Sequence, residues 1–305
     1  MKHWVEYVLV RGVDLSLRIL PMAVVRRCGV WLGRVAYRLD HSHRRTALDN
    51  VARAFPGRSE LECQNLARGV FEHFGSVLLE LLRFGGYSAE QVLAAVEIEG
   101  AERVDAAYQQ GRGVFFFTGH FGYWEMHAIA HALRFHPVSV LARPLDNPRL
   151  HGMLERTRTM TGNTVIYRQG AVRRMLQELA NNRGIAVLID QHLHTPDVVY
   201  VDFFQRPAAT TSALAALALR TGAAVIPVFA LPLPGGRYRL VYEHPVTPPN
   251  AESPDAIREF TQRCTDVLEM YVRRHPEQWL WMHRRWRDVG TGGRGSFKVD
   301  SGDQE

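Results

Sequence analysis

A histidine set between two glycines is the residue best placed to do chemistry in this chain. The run 114–117 is apolar and follows Gly113, as a buried strand would, and Gly119-His120-Phe121-Gly122 then forms a turn that presents an imidazole. Glu125 follows five residues after His120. On a single helix that separation turns two side chains about 140° apart. They meet only if His120 stays in the turn and Glu125 sits inside the first turn of the next helix. The carboxylate then accepts a hydrogen bond from one ring nitrogen and leaves the other to take a proton. No serine or cysteine stands between them as a nucleophile, so the attacking group would be a substrate hydroxyl. A capping or core histidine is the plainer alternative for such a junction.

Two more groups sit at comparable places. Arg143 follows the apolar run 138–142, and Asp190 and Gln191 follow 185–189. Ligands of open α/β sheets bind beyond the carboxyl ends of strands, so a base, a cation and an acid are expected to share one crevice. Arg143 there would bind a phosphate or stabilise an oxyanion. His127 and His131 have a spacing that suits a metal, and His192 and His194 follow Asp190, but H-E-x-x-H is absent and no third ligand is set by spacing. No metal or other cofactor is therefore expected. The P-loop pattern and the G-x-S-x-G pattern are also absent.

These groups need a scaffold. Apolar runs at 114–117, 138–142, 185–189, 198–204, 224–231 and 238–242 alternate with helical patterns near 124–134, 147–161, 171–181 and 211–221. This predicts an α/β fold with a mostly parallel or mixed central sheet covered by helices. Apolar residues recur at helical spacing through 44–84, interrupted by Pro56-Gly57, with Ser59 and Glu62 as a capping box. A further packing helix is expected over 256–274, and a disordered tail over 288–305. Three scattered cysteines without a C-x-x-C pair exclude a disulfide scaffold and a thiolate zinc site.

Residues 1–40 have a different character. On a helical wheel Glu6, Arg11, Asp14 and Arg18 share one arc, and Trp4, Val5, Val8, Leu9, Leu15, Ile19 and Leu20 occupy the rest. No uncharged stretch approaches the ~20 residues that span a bilayer. The pattern predicts helices lying in a membrane interface, with a core helix as the alternative. Arg26, Arg27, Arg34, Arg38, Arg44 and Arg45 follow, which places the segment on the cytoplasmic side against anionic headgroups. The net charge of +6 likewise favours an anionic partner. Trp279, Trp281 and Trp286 interleave with Arg284, Arg285 and Arg287. They read either as an interfacial anchor or as a segment packed on the sheet. Nucleic acid is not expected, because the basic residues are scattered.

Four blocks resemble the lipid A biosynthesis acyltransferases, within the broader group of lysophospholipid and glycerol-phosphate acyltransferases. Residues 119–125 resemble the H-x-G-N-W-E block, a form of the H-x4-D/E signature, and residues 142–148 the R-P-x-x-N-P block. Asp190-Gln191 with residues 202–208 resemble the D-Q and F-F-G-K/R-P-A segments, and residues 276–286 the closing P-E-Q-W-x-W-x-H-R/K-R block. Tyr123 and Gln205 replace the family's usual Asn and Gly.

The resemblance implies an acyltransferase-like fold over 41–287, after membrane-associating helices over 1–40. It implies transfer of a fatty acyl chain from an acyl carrier protein or coenzyme A thioester to a hydroxyl of a lipid A precursor, at the cytoplasmic face of the bacterial inner membrane. His120, Glu125 and Arg143 would be catalytic. Asp190, Gln191, Arg206, Arg284 and Arg285 would contact substrate, and Phe115, Phe116, Phe117, Trp124 and Met126 would supply part of an acyl slot. Another glycolipid or phospholipid acceptor, such as a phosphatidylinositol mannoside, a lysophospholipid or an ornithine-type lipid, and a histidine-based hydrolase are the alternatives.

Overall fold

The computed structural model describes residues 1–192, 198–250 and 252–287. The expected tail over 288–305 and His194 lie outside the described residues. Four helices lead: α1 (Lys2–Arg18), α2 (Met22–Leu39), α3 (His41–Ala54) and α4 (Glu60–Phe84). Pro21 separates the first two, and the Ser59–Glu62 capping box forms at the start of α4. There follow α5 (Ala89–Ala94), β1 (Val96–Glu99), α6 (Ala101–Gln109), β2 (Val114–Thr118), α7 (Trp124–Arg134), β3 (Val138–Leu141), α8 (Pro148–Thr159) and β4 (Thr164–Ile166). The chain continues with α9 (Ala171–Ala180), β5 (Gly184–Leu188), β6 (Val198–Asp202), β7 (Pro207–Thr211), α10 (Ala213–Thr221), β8 (Ala224–Pro232), β9 (Tyr238–Tyr242) and α11 (Ala256–Arg274).

The α/β fold expected from the sequence is the one observed. Seven strands form a mostly parallel sheet in the order β1-β9-β8-β2-β5-β3-β4. Within this sheet, among the described residues, only the β8–β9 pairing is antiparallel. β2 lies in the middle, between β5 and β8. Its side chains alternate between two cores: Phe115 and Phe117 pack toward α10 and α11, while Val114 and Phe116 pack toward α6 and α7. Burial on both faces explains why β2 reads as an unbroken apolar run.

β1, β4 and β7 were not among the expected strands. Each is five residues or fewer, too short for alternation to stand out. β6 and β7 form a hairpin outside the main sheet. Phe203 and Arg206 exchange backbone hydrogen bonds across Phe204 and Gln205, whose φ angles are 56° and 57°. Two consecutive positive φ values make this the type I′ turn that suits a tight hairpin, where glycine is ordinarily favoured. Gln205 thus occupies a backbone position that glycine would adopt without strain.

α2 lies tightly along α4. A β-carbon on Gly33 or Gly75 would strike the backbone of the facing helix. The contact is locked by Arg26, whose Nε and Nη2 donate to the two Glu80 oxygens at 2.8 Å, while Tyr238 Oη donates to Glu80 at 2.8 Å. α1 is oriented with its polar arc inward. Asp14 is buried and paired with Arg11 and Arg18, and Asn147 Nδ2 donates to Glu6 Oε2 at 2.9 Å. The apolar positions Trp4, Val8, Leu9, Leu15 and Ile19 face outward, and Trp31 on α2 is exposed as well. Among the described residues, no helix is long and apolar enough to cross a membrane.

Candidate active site

β2 ends at Thr118, and the chain turns through Gly119 to His120. A β-carbon at Gly119 would lie 2.8 Å from Asp190 Oδ2, so only glycine lets the turn approach that carboxylate. Asp190 stands two residues after the neighbouring strand β5. The parallel pairing of β2 with β5 therefore delivers base and acid to the same sheet edge.

Three N–H groups converge on Asp190. The His120 backbone donates to Oδ2 at 2.7 Å, and Trp279 Nε1 donates to the same oxygen at 2.8 Å. His120 Nδ1 lies 2.8 Å from Oδ1. Since the carboxylate can only accept, Nδ1 carries the proton, and Nε2 of the neutral ring carries the lone pair. Gln191 Nε2 sits 3.3 Å from His120 Nε2, on the exposed side. Burial alone would raise the Asp190 pKa, but the His120 charge and the hydrogen bonds outweigh it and hold the group at about 2. Burial likewise opposes charge on His120, and Asp190 again prevails, so the imidazole pKa is raised. The two directions agree: the pair favours carboxylate with imidazolium.

The expected partnership of Glu125 with the imidazole is not what forms. Glu125, in the first turn of α7, is bound on both oxygens by Arg158 of α8, Nε to Oε2 at 2.9 Å and Nη2 to Oε1. Trp124 Nε1 adds a donor at 3.2 Å. Glu125 acts on His120 through space, as one of the charges that favour imidazolium. The geometric reason is register. Asp190 reaches the imidazole from the adjacent strand end, so the helix-borne carboxylate is left to the arginine beside it. Arg158 carries no motif that would single it out in the sequence.

Arg143 is not drawn into this cluster. Its side chain is 87% exposed, and Nη2 lies 3.5 Å from Asp146. The neighbouring Asn147-Pro148 has a visible structural task. Asn147 Oδ1 accepts from the N–H groups of Arg149 and Leu150 and so caps α8, the helix that carries Arg158.

The 279–286 segment is packed inside, which settles its two readings in favour of packing. Trp279, Trp281 and Trp286 are buried, and Trp286 stacks on Phe203 with ring centroids 5.8 Å apart. Leu280 N–H donates to the His120 carbonyl at 3.0 Å, and Gly122 N–H to the Gln278 carbonyl at 2.9 Å. Arg285 is buried and donates to the Ala209 carbonyl and Thr210 Oγ1, so it faces the β7 hairpin strand. Arg206 is half-buried, with Nε donating to the Arg53 carbonyl at 3.3 Å, and Arg284 is exposed. Phe115, Phe116, Phe117 and Met126 are buried core, whereas Trp124 is partly exposed and its ring lies 5.2 Å from that of His120. Tyr123 is buried between Phe84 and Tyr238. His127 and His131 are buried on α7, with His131 Nδ1 2.9 Å from Tyr242 Oη.

The bacterial lipid A biosynthesis acyltransferase family matches residues 1–288 of the chain. The chain belongs to that family. It is an O-acyltransferase. Similar family members include an Escherichia coli lipid A biosynthesis lauroyltransferase, 25% identical over 94% of this chain and 92% of its own length. An Escherichia coli lipid A biosynthesis myristoyltransferase is 25% identical over 92% of this chain and 84% of its own. A phosphatidylinositol mannoside acyltransferase of Mycobacterium tuberculosis is 26% identical over 79% of this chain and 82% of its own. Family membership thus covers the helical leader, the sheet and the closing tryptophan segment together.

Proposed function

We propose that this acyltransferase moves a fatty acyl chain from a thioester, on acyl carrier protein or coenzyme A, to a hydroxyl of a lipid A precursor, with His120 as the general base. The observation that carries this reading is the His120–Asp190 pair, with Nδ1 held and Nε2 directed away from the carboxylate. Nε2 takes the proton of the acceptor hydroxyl as its oxygen attacks the thioester carbonyl. Asp190 stabilises the imidazolium that forms. When the tetrahedral intermediate collapses, the carbon–sulfur bond breaks and the imidazolium proton returns to the leaving thiolate. One ester and one thiol result, and the ring is neutral again.

Glu125 adds negative charge near the ring, and Arg158 fixes it there while its own charge offsets part of that effect on His120. Gln191, beside Nε2, orients the incoming hydroxyl. Arg143, exposed beyond β3, serves the donor or the oxyanion only by swinging in from its Asp146 contact. Arg206 and Arg284 serve the headgroup, and Arg285 does so only through the segment it anchors.

The site works at the cytoplasmic face of the bacterial inner membrane, with α1 lying in the interface. The outward apolar face of α1 supports this placement, since a core helix would bury that face. A phosphatidylinositol mannoside acceptor is the second reading, because the relative named for it reaches the same level of identity, although over 79% of this chain against 94% for the lauroyltransferase.

The test is a mass-spectrometric transfer assay with purified enzyme in detergent, carrier-protein and coenzyme A thioesters, and both acceptor classes. Gain of one acyl mass by a lipid A precursor, lost in His120→Ala, is the expected result. Gain only on the mannoside moves the acceptor and keeps the mechanism. Free fatty acid without lipid gain makes the chain a hydrolase, and full transfer by folded His120→Ala removes the general base.

A further inference from the structure

A second feature lies against the closing segment that also bonds to the His120 carbonyl. α3 together with Arg284, Trp286 and Arg287 borders an open cleft of about 600 Å³, within the size range of small-ligand sites. Arg45, Arg53, Arg284 and Arg287 line it, with Asp49 the one carboxylate and His41 at its edge. The α3 residues reach it because 41, 45 and 49, and also 42, 46, 50 and 53, recur at helical spacing on adjoining rows. Among the described residues, none of these four arginines forms a side-chain ion pair or hydrogen bond with a carboxylate, Asp49 included. Most other arginines near carboxylates are committed, as Arg26 is to Glu80 and Arg158 to Glu125. Four uncommitted guanidinium groups against one acid repel one another, and an anion with several oxygens would relieve that repulsion.

The cleft is coupled to the active site through its wall. Asn50, which lines it, donates through Nδ2 to the Trp281 carbonyl at 2.8 Å and the His283 carbonyl at 2.7 Å. The same segment carries Trp279, bound to Asp190, and Leu280, bound to the His120 carbonyl. His283 lies close enough to feel the charges of Asp190 and His120. Trp286, which also lines the cleft, stacks on Phe203.

We propose that this cleft is a phosphate-ester site that holds a phosphorylated part of one substrate while its reacting group lies at His120. The inference rests on the acyl-transfer reading for its substrates. Its ligand chemistry, a phosphate bound by Arg45, Arg53, Arg284 and Arg287, stands on the cleft itself. The phosphate belongs either to the acceptor's headgroup or to the phosphorylated arm of the thioester donor.

Two measurements on the full-length enzyme in detergent test it. Isothermal calorimetry with inorganic pyrophosphate reads the site without turnover. Arg284→Gln/Arg287→Gln, two exposed positions whose replacement leaves the core intact, is expected to weaken pyrophosphate binding at least tenfold. Unchanged affinity overturns the site, whether or not the chain transfers acyl groups. Steady-state kinetics then assign the source. Phosphorylated and phosphate-free forms of the acceptor are compared, and coenzyme A thioesters are compared with pantetheine thioesters. The variant is expected to lose about tenfold of its discrimination on one of the two sides. Loss on the acceptor side makes the ligand a headgroup phosphate, and loss on the donor side makes it the donor arm. Loss of pyrophosphate binding with both discriminations intact overturns a substrate role. Weakened pyrophosphate binding by a chain that transfers no acyl group upholds the anion site and sinks the functional reading instead.

Discussion

Asp190 accepts from Trp279 Nε1 and from the His120 backbone on the same oxygen, at 2.8 and 2.7 Å, and meets His120 Nδ1 with the other. A carboxylate so restrained cannot rotate away from the ring. It fixes both the tautomer and the direction of Nε2. The tryptophan that helps lock it comes from residue 279, far along the chain, so the closing segment completes the base.

Asp190→Asn should keep most of this shape and remove the charge. We expect kcat to fall about 10²–10⁴-fold. Because Asp190 raises the His120 pKa, its loss lowers that pKa, and neutral His120 persists to lower pH. The acid limb of kcat/KM should therefore move to lower pH in the variant. A limb that stays in place or moves to higher pH would show that another group titrates there.

Arg158 and Glu125 form a buried pair with side-chain exposures of 15% and 7%. Arg158→Met leaves a buried carboxylate unpaired and should cost about 3–5 kcal/mol in urea unfolding. Arg158→Met/Glu125→Gln together should cost clearly less than the sum. Arg143→Ala, at an exposed position, should leave unfolding within about 0.5 kcal/mol of the wild type. Equal destabilisation by Arg143→Ala and Arg158→Met would contradict the assignment of the buried arginine.

His127 and His131 are buried neutral in α7. Burial pushes His127 down to about 3 and lowers His131 as well. Both titrate near 6.5 once unfolded. Their contribution is complete above that value and is lost as pH falls toward the folded pKa. From pH 7 to pH 5 His127 should cost about 2 kcal/mol of stability, and His131 acts in the same direction. His120 works the other way: its raised pKa contributes below 6.5 and fades as pH rises through the folded value. Urea midpoints at pH 7 and pH 5, compared between wild type and His127→Phe, should show a smaller acid loss in the variant.

Gln205 sits at φ 57° in a type I′ turn. Relief of left-handed strain makes Gln205→Gly stabilising by about 1 kcal/mol. A lower thermal midpoint in the variant would mean that the glutamine side chain holds something the turn needs.

The exposed face of α1 should carry much of the affinity for lipid. Leu9→Glu/Ile19→Glu places two charges on it and should reduce sedimentation with anionic vesicles at least tenfold. The double variant should unfold like the wild type, since both positions are exposed. Undiminished vesicle binding would place the membrane contact elsewhere.

Much of this protein was legible in one dimension. β2 and β8 are buried on both faces and β5 nearly so, so their apolar runs stood out, and α7 and α11 repeat apolar residues at the helical period with bounds that the structure reproduces. The placement of His120, Arg143 and Asp190 after strand ends followed from the same runs. Local spacing could not rank carboxylates. Glu125 is nearer to His120 in sequence, but parallel pairing of β2 with β5 brings Asp190 to the ring, and the approach of α8 gives Glu125 to Arg158. The orientation of α1 was also undecided by its wheel, because amphipathicity fixes two faces but not which one meets the protein. Asp14 turned inward and Leu9 outward only when α4 and α8 supplied the surface. Periodicity and turn chemistry act over a few residues, and so the sequence by itself determined the longer elements and the order of the chemical groups, while the short strands β1, β4 and β7 needed their sheet partners. Which carboxylate, which tryptophan and which arginines meet depends on strand order and helix docking, and those are properties of the whole packed chain.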